Sequence, residues 1–463
     1  MTRKSLLNRR GAFGRGFAVS LAGLRAGGAF ALDGALQRLR GAEAGADSDM
    51  LRREARRFVT ELGRLKGTYV KIGQMFALLG EHFLPPALTE ALHELESETH
   101  PLPWSEIEPA LRASLGDRFD ELEVETTALA AASLAQVHRA TVRASGEQIV
   151  LKVQYPGLAR VIDGDFDAVV RMLLLARWIK AGRELDDWLG SMREQLHHEI
   201  DYLREARMGD HISACVGARR ESLSARGVHL HVPERYPRFC TREVLALEYI
   251  EGRRVNHPDI AALSQRRRNA MGRAMLELFF SELYHWGLLQ TDPNFGNYLI
   301  RRHAGRDELV LLDFGSMLQC DNAFLHNFGS TIAAGQRQDR DSIVQGLIGL
   351  GCLRTDSSEY ARDTFSDFCL QLLEPLRPPA ELPKQHCNAR GEYRWGQSRL
   401  MQRVGRQAAT SAATRHFATP SREFAMIARK LTGVFTFIAV LDAEFNGYGR
   451  VRDYIDTWLE ETA

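Results

Sequence analysis

Two short segments near the middle of the chain contain carboxylate and amide side chains at a spacing that suits phosphoryl transfer. The first, residues 290–297, reads QTDPNFGN and places Asp292 five residues before Asn297. The second, residues 311–315, reads LLDFG, with Asp313 after an apolar run that favours a strand. A carboxylate can orient an attacking hydroxyl, and carboxylate and amide oxygens are the ligands that Mg²⁺ prefers. We therefore predict that Asp292 is catalytic and that Asn297 and Asp313 bind the metal.

A lysine on an apolar run lies upstream of these segments. Lys152 is within IVLKV, residues 149–153, and a lysine on such a strand can contact the α- and β-phosphates of a nucleotide. A strand lysine is more commonly a solvated edge residue. The order of the segments, with Lys152 first and the two aspartates later, favours the phosphate-binding interpretation.

An acidic segment, HHEIDYLREA at residues 197–206, is predicted to be a single helix. Asp201 and Glu205 would then lie four residues apart on one face, where like charges repel unless a cation lies opposite. We predict that Lys152 pairs with Glu205. The alternative is a solvated acidic face on which Arg204 and Arg207 are the local partners.

Two further segments are predicted to contact the nucleotide through their main chains. LEYIEG, residues 247–252, resembles a strand that ends in a hinge, where the backbone of Glu248 and Ile250 would hydrogen-bond to adenine. ALAAAS, residues 128–133, stands where a glycine-rich phosphate loop would be expected. Alanine keeps the backbone N–H groups but disfavours positive φ, and a helix start is the alternative, since alanine is the best helix former. The predicted phosphate-covering residues are Ala130, Ala131, Ala132 and Ser133.

Hydrophobic periodicity indicates the elements that must position these residues. Apolar residues recur at helical spacing from 49 to 79, with a bend at Gly67, and place Lys71 and Gln74 on one face. On its own this pair is an ordinary polar stripe. Short strand-like runs begin at residue 119, and helices dominate the C-terminal half. The predicted further elements are a helix over 87–96, helices over 159–206, a strand over 243–250, a helix over 266–286, and a hairpin of 298–300 with 309–312.

This order of elements predicts an α+β fold with two lobes, a small antiparallel sheet first and a helical body second. We divide the chain into four parts: a basic leader (1–47), a helical extension (48–117), an N-lobe with inserted helices (118–252), and a helical C-lobe with the catalytic and metal loops (253–463).

Composition narrows the class of partner. The chain has 463 residues, 44% hydrophobic and 26% charged, which is typical of a globular protein. Lys and Arg number 60 against 59 Asp and Glu, so no basic field is available for a nucleic acid, and we exclude that partner. The apolar run over 431–441 is too short to span a membrane. Six well-separated cysteines without a CxxC pair indicate reduced thiols. We expect a soluble or peripheral protein of the cytoplasm. Contact with the inner face of a membrane would come from the basic leader or from partner proteins, and the alternative for the leader is a helix that packs on the rest of the protein with its arginines exposed.

In combination, these motifs resemble the UbiB/AarF family of atypical, protein-kinase-like proteins, which includes the mitochondrial coenzyme Q kinases. KIGQ at 71–74 resembles the family's KxGQ motif, AAASLAQVH at 130–138 its Ala-rich loop, and EIDYLREA at 199–206 its ExD helix. QTDPNFGN and LLDFG resemble its metal-binding loops.

The resemblance implies a kinase-like fold that binds Mg²⁺ with ATP or ADP. It also implies that Lys71 and Gln74 cover the cleft, with Lys71 meeting Glu199 and Asp201 and occluding a protein substrate. The implied activity is that of an ATPase or small-molecule kinase that supports ubiquinone biosynthesis at a membrane. Besides the nucleotide, the candidate partners are a membrane surface or lipid and quinone-biosynthesis proteins. Two alternatives stay open, a nucleotide-sensing pseudokinase scaffold and a phosphotransferase for a soluble small molecule.

Overall fold

The computed structural model describes residues 49–65, 67–93, 101–176, 178–179, 183–412 and 422–462. The predicted leader, residues 1–47, lies outside the described residues. The helices are α1 (Asp49–Leu65), α2 (Thr68–Phe83), α3 (Pro86–His93), α4 (Trp104–Leu115), α5 (Leu158–Leu175), α6 (Arg183–Glu199), α7 (Tyr202–Ala218), α8 (Arg220–Ala225), α9 (Pro258–Ala261), α10 (Gln265–Tyr284), α11 (Asn322–Gln336), α12 (Arg340–Gly349), α13 (Glu359–Leu372), α14 (Leu400–Ala412), α15 (Arg422–Val440) and α16 (Tyr448–Thr462). The strands are β1 (Leu122–Val124), β2 (Ala130–Ala131), β3 (Ala135–Val142), β4 (Gln148–Gln154), β5 (Leu230–His231), β6 (Val244–Glu248), β7 (Leu288–Gln290), β8 (Tyr298–His303), β9 (Arg306–Leu311) and β10 (Met317–Gln319).

The chain forms two compact units. The first comprises the described residues up to Ala206 together with Glu234–Tyr249, and the second comprises Arg207–Pro233 and the chain from Ile250 onward. The chain passes from the first unit to the second within α7. Arg207–Pro233 therefore groups with the helical body, although the sequence-based boundaries place it among the elements of the N-lobe.

An antiparallel sheet is the centre of the first unit. Its strand order is β1-β3-β4-β6, and the short β2 pairs with β3. Residues alternate between the two faces of β4 because the period of a strand is two. Ile149, Leu151 and Val153 are buried in the core, and Lys152 and Gln154 point to the other face. The register pairs Lys152 with Val137 and Leu245, so the lysine is central in the sheet and not at an edge.

The first three helices of the extension share a core with two helices of the predicted N-lobe. Helices α1, α2, α3, α5 and α6 bury aromatic and aliphatic side chains against one another, among them Phe58, Phe76 and Phe166. The predicted bend at Gly67 is a break between α1 and α2, where glycine adopts a φ of +59°. Thr68 donates a buried hydrogen bond to Asp165, which fixes the start of α2 on α5.

The second unit is built around α10, which is buried on almost every side from Met271 to Tyr284. This helix lies at the centre of the core although it includes the buried carboxylates Glu277 and Glu282, and α15 and α16 pack against it. Two small sheets adjoin this core, β5-β9-β8 and β7-β10. Among the described residues, no helix combines the length and hydropathy that crossing a bilayer requires.

One predicted element is wrong. The acidic segment is not a single helix, because α6 ends at Glu199 and α7 begins at Tyr202. The Asp201 carboxylate accepts a hydrogen bond from the backbone N–H of Arg204, the third residue of α7, at 3.1 Å. Aspartate in this position caps a helix. Asp201 is therefore the N-cap residue of α7 and Glu205 lies within that helix, so the two do not belong to one continuous helix over 197–206 as predicted.

Candidate functional site

The predicted pair of Lys152 and Glu205 is present in the first unit. Lys152 Nζ lies 2.8 and 3.0 Å from the two carboxylate oxygens of Glu205, whose side chain is 3% exposed. The ammonium group also lies 5.1 Å from the ring centroid of Tyr202, within cation–π distance. A buried carboxylate requires a charged partner, so this contact fixes both the direction of Lys152 and the rotation of α7.

The turn between α6 and α7 is anchored to the same strand. Gln154, two residues beyond Lys152 on β4, donates hydrogen bonds to the carbonyl groups of Ile200 and Arg242. One face of β4 thereby holds both the turn and the first part of α7.

The KxGQ segment lies on α2, where Lys71 forms an ion pair with Glu199 at 2.5 Å. Both side chains are mostly buried. The predicted contact of Lys71 with Glu199 is therefore confirmed, while Asp201, the second predicted partner, caps α7. Gln74 follows Lys71 by three residues on α2 and is half-buried. Its predicted occluding role stays a prediction.

The Ala-rich segment forms a hairpin and not a helix start. Ala130 and Ala131 pair with Val137 and Gln136 of β3. Ala132 at the tip donates its N–H to Ala135 at 2.8 Å and accepts a hydrogen bond from the hydroxyl of Tyr155 at 2.9 Å. The adjoining carbonyl of Ser133 lies beside Gly67 of the helical extension. This strand-like path shows how alanines replace glycines here, since a hairpin of this form does not require positive φ at the tip.

The predicted hinge begins at the last residue of β6. Glu248 donates its N–H to the Glu234 carbonyl at 2.7 Å. Of the two main-chain groups of Glu248, the carbonyl is therefore the one that could accept a hydrogen bond from adenine. The boundary between the two units falls between Tyr249 and Ile250. The adenine contacts of Glu248 and Ile250 stay predictions.

The β8–β9 hairpin brings the two predicted metal ligands to one end of a sheet in the second unit. Tyr298 pairs with Leu311, and Leu312 donates its N–H to the carbonyl of Asn297 at 3.0 Å. Asp313 is the next residue, so an antiparallel register places both ligands at the same end of the hairpin.

A second tie joins the two loops. Thr291 contacts Ser316 through its hydroxyl group at 2.7 Å and through its backbone N–H at 2.9 Å. These bonds continue the β7–β10 pairing. They hold the residue before Asp292 close to the segment that follows Asp313.

Asp292 and Asn297 contact each other. Asn297 Nδ2 donates to Asp292 Oδ2 at 3.0 Å, and Asp292 Oδ1 accepts from the N–H of Asn294 at 3.3 Å. Because the amide nitrogen faces Asp292, the Asn297 oxygen is directed to the other side of the amide group. Asp313 Oδ1 accepts from the N–H of Gly315 at 2.9 Å. An amide oxygen and a carboxylate at one hairpin end form a hard-oxygen donor set, which fits Mg²⁺.

The structure adds residues of α15 that the sequence analysis missed. Gly433 lies so close to the predicted catalytic loop that a Cβ there would be 2.1 Å from Pro293 Cβ. One turn earlier, Arg429 Nη2 lies 3.5 Å from Asp292 Oδ1, and one turn later Phe437 packs edge-to-face on Phe295. The available signal was a glycine inside an otherwise helical pattern, which often marks close packing.

Lys430, also on α15, is a buried cation beneath the same loop. Its side chain is 1% exposed, and Nζ contacts Gln290 Oε1 at 2.8 Å, the hydroxyl of Tyr298, and Glu282 Oε2 at 3.8 Å. Burial raises the pKa of Glu282 to about 7 and lowers the pKa of Lys430, although their mutual attraction opposes both shifts. Burial, followed by the charges of Glu282 and Asp292, raises the pKa of Tyr298 well above its ordinary value. This network supports the strand that leads into Asp292.

A buried histidine behind the Ala-rich hairpin was also missed. His138 is fully buried, with Nε2 2.8 Å from Gln136 Nε2 and Nδ1 2.8 Å from the Glu125 carbonyl. The amide nitrogen of Gln136 donates, so Nε2 accepts and Nδ1 carries the proton. Gln136 also accepts from the N–H of Leu102 at 2.8 Å and thereby connects the segment before α4 to β3.

The predicted residues thus form two groups. Lys71, Glu199, Lys152 and Glu205 make two ion pairs in the first unit, and Asp292, Asn297 and Asp313 gather at one hairpin end in the second.

Comparison with known proteins identifies the family to which this chain is similar. Residues 94–347 match the family profile described as the ABC1 atypical kinase-like domain. The atypical kinase COQ8, mitochondrial, of Schizosaccharomyces pombe is 27% identical over 388 residues, 83% of this chain and 60% of the relative. The protein of the same description from Saccharomyces cerevisiae is 28% identical over 329 residues, 69% of this chain and 62% of the relative. This chain therefore spans less than two thirds of the length of these two relatives.

A solved structure has a similar fold. It is described as the Rv3197–erythromycin complex from Mycobacterium tuberculosis, with a TM-score of 0.60 at 22% identity, covering 89% of this chain and 98% of that chain. With the family match and the antiparallel sheets, this similarity confirms the predicted α+β, protein-kinase-like fold.

Proposed function

This chain belongs to the ABC1 atypical kinase-like family, and on that premise we propose that it binds a magnesium–adenine nucleotide and transfers or hydrolyses its terminal phosphoryl group. The observation that carries the proposal is the buried Lys152–Glu205 pair, with both carboxylate oxygens within 3.0 Å of the ammonium group. In kinase-like sites such a pair holds the lysine toward the α- and β-phosphates.

The residues of the second unit support the chemical step. Asp292 would accept a hydrogen bond from the attacking hydroxyl or water, and Asn297 and Asp313 would hold Mg²⁺. When bound, this ion would neutralise charge on the phosphate oxygens. Lys430 and the Thr291–Ser316 bonds keep Asp292 at a fixed distance from the hairpin end, which is the positioning that phosphoryl transfer requires.

We propose that the phosphoryl group is transferred to a small molecule or to water, and not to a protein. Lys71 forms an ion pair with Glu199, so α2 is fixed on α6. A protein substrate would have to displace this contact. Two relatives are described as the atypical kinase COQ8, mitochondrial, and the motifs resemble a family that includes the coenzyme Q kinases. We therefore propose that this chain supports ubiquinone biosynthesis, as a cytoplasmic protein that acts peripherally at the inner face of the membrane.

The test is the substitution Asp313→Asn, compared with Asp363→Asn, an exposed carboxylate on α13. We expect wild type and Asp363→Asn to show Mg²⁺-dependent nucleotide binding and slow ATP turnover, and Asp313→Asn to lose both. Unchanged turnover in Asp313→Asn would reject the assignment. Binding without turnover in wild type would instead support a nucleotide-sensing scaffold.

A further inference from the structure

An arginine-rich cavity of about 510 Å³ lies in the second unit, apart from the residues described above. It is bounded by the first turns of α10, by the β8–β9 hairpin and by the turn that precedes β5. Its charged and titratable lining residues are Arg266, Arg267, Arg302, Arg306, Asp307 and His229.

The single carboxylate in the lining is already shared. Arg267 contacts both oxygens of Asp307, at 2.6 and 2.7 Å, and Arg302 lies 3.6 Å from one of them. Within the described part of the chain, Arg266 and Arg306 have no carboxylate partner. Four arginines and one aspartate leave a formal charge of +3 in the lining.

The backbone adds to this positive potential. Arg266 and Arg267 lie in the first turn of α10, a helix of 20 residues with no acidic residue in that turn. Cations are disfavoured at a helix N-terminus, because the aligned peptide dipoles already make this end positive. The pKa of His229 is lowered by burial and then by the charge of Arg306, while the charge of Glu308 opposes the shift. An anion bound here would offset the repulsion among these groups.

The floor of the cavity is apolar. Ala270 and Met271 line it one turn beyond the arginines of α10, and Met271 is 1% exposed. We propose that the cavity binds a phosphate ester, with its phosphate on Arg266, Arg302 and Arg306 and its organic part against Ala270 and Met271. Arginine is suited to this role because its planar donors match phosphate oxygens in pairs.

The cavity is separate from the proposed metal loops. It adjoins the turn of the β8–β9 hairpin, whereas Asn297 and Asp313 lie at the other end. β8 has six residues, so the two ends are about 17 Å apart. The proposal therefore does not depend on nucleotide binding or turnover.

The experiment uses the full chain in EDTA at constant ionic strength, so that nucleotide binding that requires a metal ion does not contribute to the signal. Calorimetry measures the binding of inorganic phosphate and of n-hexyl phosphate. Flotation measures the binding of vesicles of equimolar phosphatidylcholine and phosphatidic acid against phosphatidylcholine alone. The test variant is Arg266→Gln/Arg306→Gln. The matched control is Arg160→Gln/Arg171→Gln, which removes the same charge from exposed positions on α5.

We expect hexyl phosphate to bind more tightly than inorganic phosphate, and the test variant to weaken binding at least about tenfold while the control leaves it unchanged. Binding of the soluble ester supports the cavity as a site for a free ligand, and binding of the acidic vesicles alone supports a lipid headgroup. Absence of binding in every arm, or equal losses in both variants, overturns the proposal.

A chemical readout covers the case of a misfolded variant. Phenylglyoxal modifies accessible guanidinium groups, and peptide mass spectrometry of the wild-type chain locates them. Hexyl phosphate should protect Arg266, Arg302 and Arg306 but not Arg160. Equal modification of all four with and without the ester contradicts the site.

Discussion

Replacing Gly433 by alanine tests whether α15 positions the predicted catalytic loop. The added Cβ would lie 2.1 Å from Pro293 Cβ and 3.1 Å from its Cγ. Aliphatic carbons in contact are normally at least about 3.5 Å apart, so the helix or the loop must move by about 1.4 Å. Pro293 is bonded to Asp292, and the displacement is therefore transmitted to the predicted catalytic carboxylate.

The expected magnitudes follow from this overlap. Overpacking a core contact costs about 1–3 kcal/mol, and alanine in place of a helical glycine recovers up to about 1 kcal/mol. We expect Gly433→Ala to lower the free energy of unfolding by about 1–2 kcal/mol. A misplacement of about 1 Å can reduce turnover about a hundredfold, so kcat should fall by that order. Nucleotide affinity should change less, since Lys152 and Glu205 lie in the first unit.

The matched control is Gly405→Ala on α14, where no atom lies within 4 Å of the new Cβ. This substitution should stabilise the protein by about 0.5–1 kcal/mol through helix propensity alone and leave turnover unchanged. Urea unfolding and an ATPase assay on both variants give the comparison. If Gly433→Ala matches Gly405→Ala in both measurements, the contact with Pro293 is not what requires glycine at this position.

Two further predictions concern buried charges. Lys430→Met should lower the free energy of unfolding by about 3 kcal/mol, because Glu282 is left buried without its cation. Adding Glu282→Leu should restore at least half of this loss, as measured by urea titrations. A double variant as unstable as the sum of its singles would contradict this pairing. Burial lowers the pKa of His138 below its ordinary 6.5, so the unfolded chain binds the proton more readily. The contribution of His138 to the free energy of unfolding should be complete above about pH 6.5 and decline as the pH falls toward the pKa of His138 in the folded protein. His138→Asn should remove this part of the pH dependence, as measured by urea titrations at about pH 5 and 7.

The sheet and the loops were predictable because their signals are local. The apolar run IVLKV, residues 149–153, lies within β4, and the period of two that buries Leu151 and Val153 directs Lys152 to the opposite face. The spacing from Asp292 to Asn297 and the strand before Asp313 likewise indicated a loop and a hairpin end.

The break between α6 and α7 was not predictable from helical periodicity. Residues 197–206 fit one helix, but Gln154 of a strand distant in sequence takes the carbonyl of Ile200, and Asp201 caps the next helix. Tertiary hydrogen bonds thus outweigh local propensity at this point. The contact of Lys430 with Gln290 was likewise not predictable from local sequence, because the two residues are 140 positions apart in the chain.

The contacts around Asp292 suit its two oxygens to different tasks. Asn297 Nδ2 lies 3.0 Å from Oδ2, a normal hydrogen bond that fixes the plane of the amide and directs the amide oxygen away from Asp292. Arg429 and the N–H of Asn294 approach Oδ1 only to 3.5 and 3.3 Å, and the Asp292 side chain is 36% exposed. An ion pair of that length and exposure is worth at most about 1 kcal/mol. Oδ1 can therefore exchange its contacts for a hydroxyl or water at low cost, while Oδ2 continues to orient the predicted metal ligand.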